Sequence, residues 1–191
     1  MTTLNKLETY AWEFLLRNPK YKAEARSCPT FIEPKKDKIS NSFYEQLPSD
    51  LAAHNWGLLA FKDPEMPVYA GTPFWSALPT IEAEIAQHGQ PALIPMFSKV
   101  GASISGLLLL NGNLILKIKH GGRTVQIRIK DGRSFSQNSG LVIRLPVALN
   151  LPVQLSRSID LWNIATGYSP KKSQPKVKLI TTSYYSPLMA I

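Results

Sequence analysis

Residues 114–130 constrain the fold more than any other part of the sequence. Two runs in which apolar and polar residues alternate are joined by Gly121-Gly122, a two-residue loop suited to a type I′ hairpin turn. Pairing outward from the turn tests the register. With His120 opposite Arg123, Ile118 meets Val125, Leu116 meets Ile127 and Leu114 meets Ile129, so each apolar residue on one face meets another. Successive strand side chains point to opposite faces, so the second face carries Lys117, Lys119, Arg128 and Lys130 with Thr124 and Gln126. The hairpin predicts a sheet with one core face and one basic face.

The alternation extends to both sides of the hairpin. A preceding strand is expected over residues 103–110, closed by Asn111-Gly112, and a following one over 141–145, with Leu141, Ile143 and Leu145 inward and Arg144 outward. Together these strands make an antiparallel meander. A helix is expected over about 152–166, where Leu155, Ile159 and Trp162 recur at i, i+4 and i+7 to face the sheet and Gly167 suits the C′ position.

The first half reads differently. A helix is expected over 5–18, with Leu7, Ala11, Phe14 and Leu15 as its apolar stripe, Asn5 and Glu8 as a capping-box pair, and Pro19 enforcing its end. Residues 21–49 read as loop with short helical turns. The apolar stretch around Trp56 to Phe61 and the pair Phe74-Trp75 read as core anchors of an irregular segment. Residues 80–88 read as a short helix, with Thr80 at its N-cap and Glu82 and Glu84 in its first turn. Periodicity switches from helical to alternating after Pro91, which places a boundary there. The expected class is α+β: an N-terminal helical and irregular domain (1–90), an antiparallel β-meander with a packing C-terminal helix (91–167), and a basic tail (168–191).

Charge follows this division. Residues 1–111 hold 10 Lys and Arg against 11 Asp and Glu, whereas residues 112–191 hold 12 against 2, within a net charge of +9. A field of this sign attracts polyanions over about a Debye length, roughly 8–10 Å at physiological salt, and double-stranded DNA is the expected partner. The candidate phosphate contacts are Lys117, Lys119, Arg128 and Lys130 on the ribbon, Arg144 on the next strand, and Lys171, Lys172, Lys176 and Lys178 in the tail. The competing reading is a basic surface that serves solubility.

Enzyme signatures are weak. The run Gly101-Ala102-Ser103-Ile104-Ser105-Gly106 lacks the glycine a nucleophile elbow needs two residues after Ser103, and no phosphate-binding Gly-rich loop is present. His54, His88 and His120 are scattered, so no metal site is expected. Cys28 is the single cysteine and lacks a base at readable spacing. No cofactor and no small-molecule substrate are expected. The N-terminus lacks a signal-peptide pattern and the most apolar run is broken by Asn111 and Asn113, so a cytoplasmic protein without membrane contact is expected.

The segment Tyr10-Ala11-Trp12-Glu13-Phe14-Leu15-Leu16-Arg17-Asn18-Pro19-Lys20-Tyr21, followed by Trp56-Gly57-Leu58, Asp63-Pro64 and Phe74-Trp75, resembles the N-terminal domain of RovC-like proteobacterial regulators. The second half is similar too, in its meander, its leucine-rich helix ending near Trp162, and its Leu145-Pro146 and Leu151-Pro152 steps. The resemblance implies a DNA-binding transcriptional activator of type VI secretion genes that assembles as a homo-oligomer, a hexamer among its relatives. It also implies a helix-turn-helix after the tail, before which these 191 residues stop. The chain is therefore expected to supply an oligomerisation scaffold and a phosphate-contacting surface rather than base readout. An anti-activator or adaptor that binds another protein and no DNA is the alternative.

Overall fold

The computed structural model describes residues 3–28, 42–66, 72–86, 90–143, 145 and 151–167. In chain order these form α1 (Thr3–Arg17), α2 (Pro19–Ser27), β1 (Ser42–Glu45), a 3-10 helix (Pro48–Trp56), β2 (Thr80–Ile85), α3 (Leu93–Lys99), β3 (Ser103–Leu108), β4 (Leu114–His120), β5 (Arg123–Ile129), a second 3-10 turn (Gly132–Ser134), β6 (Leu141–Ile143) and α4 (Leu151–Ala165). An N-terminal helical segment thus precedes a mixed sheet, and a C-terminal helix packs against that sheet.

The hairpin forms in the predicted register. His120 pairs with Arg123, Ile118 with Val125, Leu116 with Ile127 and Leu114 with Ile129. Gly121 and Gly122 take φ of 55° and 77°, the left-handed geometry that a type I′ turn demands at both positions. The strand β3 adds antiparallel to β4, also as expected.

Beyond these three strands the sheet departs from a simple meander. Its order is β1-β3-β4-β5-β2-β6. The outer strand β1 runs parallel to β3, and β2 runs parallel to β5, so residues that precede Pro91 supply two of the six strands. The short strand β6 pairs antiparallel with β2 rather than with β5.

Residues 80–85 are therefore a strand, not the helix expected there. The sequence Thr-Ile-Glu-Ala-Glu-Ile alternates with period two; Ile81 and Ala83 enter the core while Glu82 and Glu84 stand on the other face. Two further expectations give way. The supposed loop after Tyr21 contains most of α2 and all of β1. The segment after Pro91 opens with the helix α3 before any strand begins.

Asn18 explains how α1 gives way to α2. Its side-chain oxygen accepts from the backbone N–H of Lys20 (2.9 Å) and Tyr21 (3.3 Å), with Pro19 in the first turn, where its missing N–H costs nothing.

One face of the sheet is built as the sequence predicts. Ile81, Ile104, Leu114, Leu116, Ile118, Val125, Ile127 and Ile129 form a core with Ile94 and Phe97 of α3 and Leu161 and Ile164 of α4. Each such side chain contributes about 1.5–3 kcal/mol on full burial. The opposite face is covered as well. Leu107, Leu109 and Ile115 pack against Leu59 and Phe74. Beyond them lies a third cluster in which Trp12 of α1 meets Tyr21 of α2 edge-on at 5.8 Å, and Tyr21 meets Trp56 at 5.6 Å. The aromatic segments around residues 56–61 and 74–75 are core anchors, as their composition suggests.

Candidate functional site

Covering the second face of the sheet changes the meaning of the ribbon cations. Lys117 is 2% exposed, and its ammonium donates to Thr72 Oγ1 at 2.6 Å and to the Pro73 carbonyl at 2.8 Å while pairing with Glu8 at 3.1 Å. Lys119 donates to the same Thr72 hydroxyl at 3.0 Å. That hydroxyl in turn donates to Glu8 Oε2, also at 3.0 Å. The expected open basic face is here an interior polar seam that ties α1 and the 72–75 segment to β4.

Two ammonium groups on one hydroxyl are electrostatically costly. Burial pushes the Lys117 pKa down to about 7, although Glu8 pulls the other way. Burial also lowers Lys119. Lys62, whose ammonium lies 5.8 Å from the centre of the Trp12 ring, falls to about 8 through burial and then through repulsion by Lys119. Three lysines thus converge from the ribbon and from the layer above it.

The other ribbon cations are paired across strands. Arg128 meets Glu82 at 3.0 Å and Lys130 meets Glu84 at 3.3 Å, matching the β2–β5 register in which Glu82 lies beside Arg128. The two carboxylates read from sequence as helix-start residues are the partners of two predicted phosphate contacts. Arg144, Lys171, Lys172, Lys176 and Lys178 lie outside the described residues.

Glu8 and Thr72 were not singled out as site residues by the sequence. Glu8 reads as a capping residue, yet α1 begins at Thr3 and places Glu8 on the same helical face as Trp12 and Leu15, 5% exposed. Only its i, i+4 relation to Trp12 could have hinted at an inward carboxylate.

A second surface arises where apolar side chains were expected inside. On α4 the buried residues are Gln154, Leu161 and Ile164, whereas Leu155, Ile159 and Trp162 are 48%, 52% and 66% exposed. The stripe predicted to face the sheet faces outward. The helix has apolar residues on two sides, and spacing alone does not say which side the sheet takes. On α1 the expected stripe splits: Leu15 is buried beside Glu8 and Trp12, whereas Leu7, Ala11 and Phe14 are exposed, with Tyr10 next to them. Large apolar side chains gathered in rows on a surface commonly mark contact sites.

Among the described residues no group of three His, Cys, Asp or Glu side chains could hold a metal ion, and no helix is long and apolar enough to cross a membrane. No protein-family model matches the chain, and no curated protein matches it.

Proposed function

We propose that this chain is the assembly module of a DNA-binding transcription regulator, an activator of the RovC-like kind that its sequence resembles. The observation that carries the reading is the outward apolar row Leu155, Ile159 and Trp162 on α4, seconded by Leu7, Tyr10 and Phe14 on α1. Such rows favour contact with another protein surface over exposure to water. The net charge of +9 supports a polyanionic partner for the assembled protein. Because Lys117 is buried against Glu8, and Arg128 and Lys130 are paired with Glu82 and Glu84, the proposed phosphate contacts shift to Arg144, Lys171, Lys172, Lys176 and Lys178.

A shift assay with duplex DNA over a range of salt tests this. Binding through phosphates weakens linearly on a log–log plot, with a slope near −0.9 for each phosphate neutralised. Reversing Lys171, Lys172, Lys176 and Lys178 to Glu should flatten that slope and abolish binding at physiological salt. The second reading, a protein-interaction module that uses no DNA, is favoured by the internal pairing of the ribbon cations. It prevails if the unaltered chain binds no duplex even at low salt.

A further inference from the structure

We propose that the polar seam between α1 and β4 is a binding site for hydrogen phosphate, a small oxyanion that still carries a proton, held between Lys62 and Lys119 with its hydroxyl turned toward Glu8. The inference stands apart from both DNA binding and assembly.

Two hydrogen-bonding groups in the seam are unmatched. Among the described residues, Glu8 Oε1 and Trp12 Nε1 are buried side-chain atoms with no hydrogen-bond partner. Their residues are 5% and 0% exposed and stand four apart on α1, neighbours on one helical face. A buried polar group without its partner costs about 1–3 kcal/mol, and more when it is charged. One of the two is an acceptor and the other a donor. A ligand that serves both must therefore accept at one atom and donate at another.

The charges around these atoms call for an anion. Lys117 spends its three donors on Glu8 Oε2, Thr72 Oγ1 and the Pro73 carbonyl. Lys119, by contrast, makes one hydrogen bond among the described residues, to Thr72 Oγ1 at 3.0 Å. The Lys62 ammonium lies over the Trp12 ring, 5.8 Å from its centre, and close enough to Lys119 to be repelled by it. Three ammonium groups thus face two carboxylates, Glu8 and the Asp63 beside Lys62, and Asp63 already accepts from the Glu65 backbone N–H at 2.8 Å. One negative charge balances the set. Burial and then repulsion by Lys119 lower Lys62 to about 8, and burial lowers Lys119, so an anion between them favours the charged form of both.

Shape and protonation select the anion. Hydrogen phosphate offers four oxygens to Lys62, Lys119, the Trp12 N–H and Glu8 Oε1, and one of them carries the proton that the carboxylate needs. Sulfate has the same shape but no proton at neutral pH, and it sets one lone pair against another at Glu8. The phosphodiester of nucleic acid lacks that proton too. Lys62 and Lys119 are half-buried and form the entrance, whereas Glu8 and Trp12 lie inside.

Isothermal titration calorimetry of the full chain at fixed ionic strength tests the site, with sodium phosphate and sodium sulfate as the probes. Phosphate should bind saturably, one per chain, in the millimolar range or tighter, and sulfate at least about tenfold more weakly. Lys62→Gln and Lys119→Gln should each weaken phosphate binding more than about tenfold, with circular dichroism and thermal unfolding as controls for folding. Glu8→Gln should narrow the gap between the two anions, because an amide N–H can donate to a sulfate oxygen. Lys62 is half-buried, so its variant keeps the test decisive should the Glu8 change prevent folding. Equal binding of the two anions, no saturable binding of phosphate, or phosphate binding untouched by Lys62→Gln would each overturn the proposal. Changing Lys171, Lys172, Lys176 and Lys178 to Glu should leave phosphate binding as it is while abolishing the duplex binding proposed above, so the two readings fail separately. Loss of phosphate binding in that variant would place the anion on the tail and overturn the site in the seam.

Discussion

Lys117 shows how one residue can serve the fold at a cost that depends on pH. Its pKa is about 7 in the folded protein against an ordinary 10.5. Between those values the unfolded chain binds the proton that the folded chain has given up, so stability rises with pH across that window and the penalty is complete below about 7. The charged groups around it are Glu8 on α1, Lys119 on the same strand and Lys62 from the covering layer. Lys117→Met should remove the Lys117 share of this rise from urea unfolding curves measured between pH 7 and pH 10, leaving the smaller rise that Lys62 and Lys119 contribute. The same change should cost about 3 kcal/mol at neutral pH, because it strands the Glu8 carboxylate in the interior. Adding Glu8→Gln should recover most of that loss. Asp50 makes a simpler case. It is fully buried, and its two oxygens accept from the backbone N–H of Leu47 and of Phe61, each at 2.9 Å. Asp50→Ala should destabilise by about 2–3 kcal/mol in chemical denaturation, since one buried and one partly buried donor lose their acceptor. Neither role is legible in the sequence. A buried carboxylate and an exposed one are the same letter, and the partners that place them inside are distant in sequence: Phe61 lies 11 residues from Asp50 and Thr72 lies 64 from Glu8.

At the scale of elements, legibility depends on how local the deciding interaction is. The β4–β5 hairpin is readable because turn, pattern and register all lie within 17 residues and agree with one another. The strand β2 is not, because Thr80, Glu82 and Glu84 also satisfy the rules for a helix start. What decides the matter is pairing with β5, whose Arg128, with Lys130 just beyond its end, meets Glu82 and Glu84 from some 46 residues later. For α4 the helix itself is readable and its orientation is not. A stability comparison checks the orientation directly. Leu161 is 4% exposed and packs in the main core, so Leu161→Ala should cost about 2–5 kcal/mol. Trp162→Ala, in the larger residue next to it, should change monomer stability by less than about 1 kcal/mol, because little of its surface leaves water on folding. The reverse ranking would place the stripe against the sheet after all.

For the whole molecule, the question is whether the change in periodicity at Pro91 also divides the fold. The charge balance and the sequence pattern both change there, yet the sheet takes β1 and β2 from before that point and sets β2 between β5 and β6. Parallel pairings such as β2 with β5 join distant parts of the chain and leave no mark on local pattern, which is why the sequence suggests a meander where the sheet is mixed. Cutting at residue 91 would take away the only strand partner of β6 among the described residues and would bare Ile81's place in the core, along with the covering layer that meets Lys117 and Gln126. The segment 91–191 alone would then expose one edge of β5 and most of the second face of β4 to water. Calorimetry on the full chain should accordingly show one cooperative transition, with calorimetric and van't Hoff enthalpies in agreement. The isolated segments 1–90 and 91–191 should each lack such a transition and regain it on mixing. Two separate transitions in the full chain, or a cooperative transition in 91–191 alone, would mean that the sheet's distant strands dock onto a unit already stable without them.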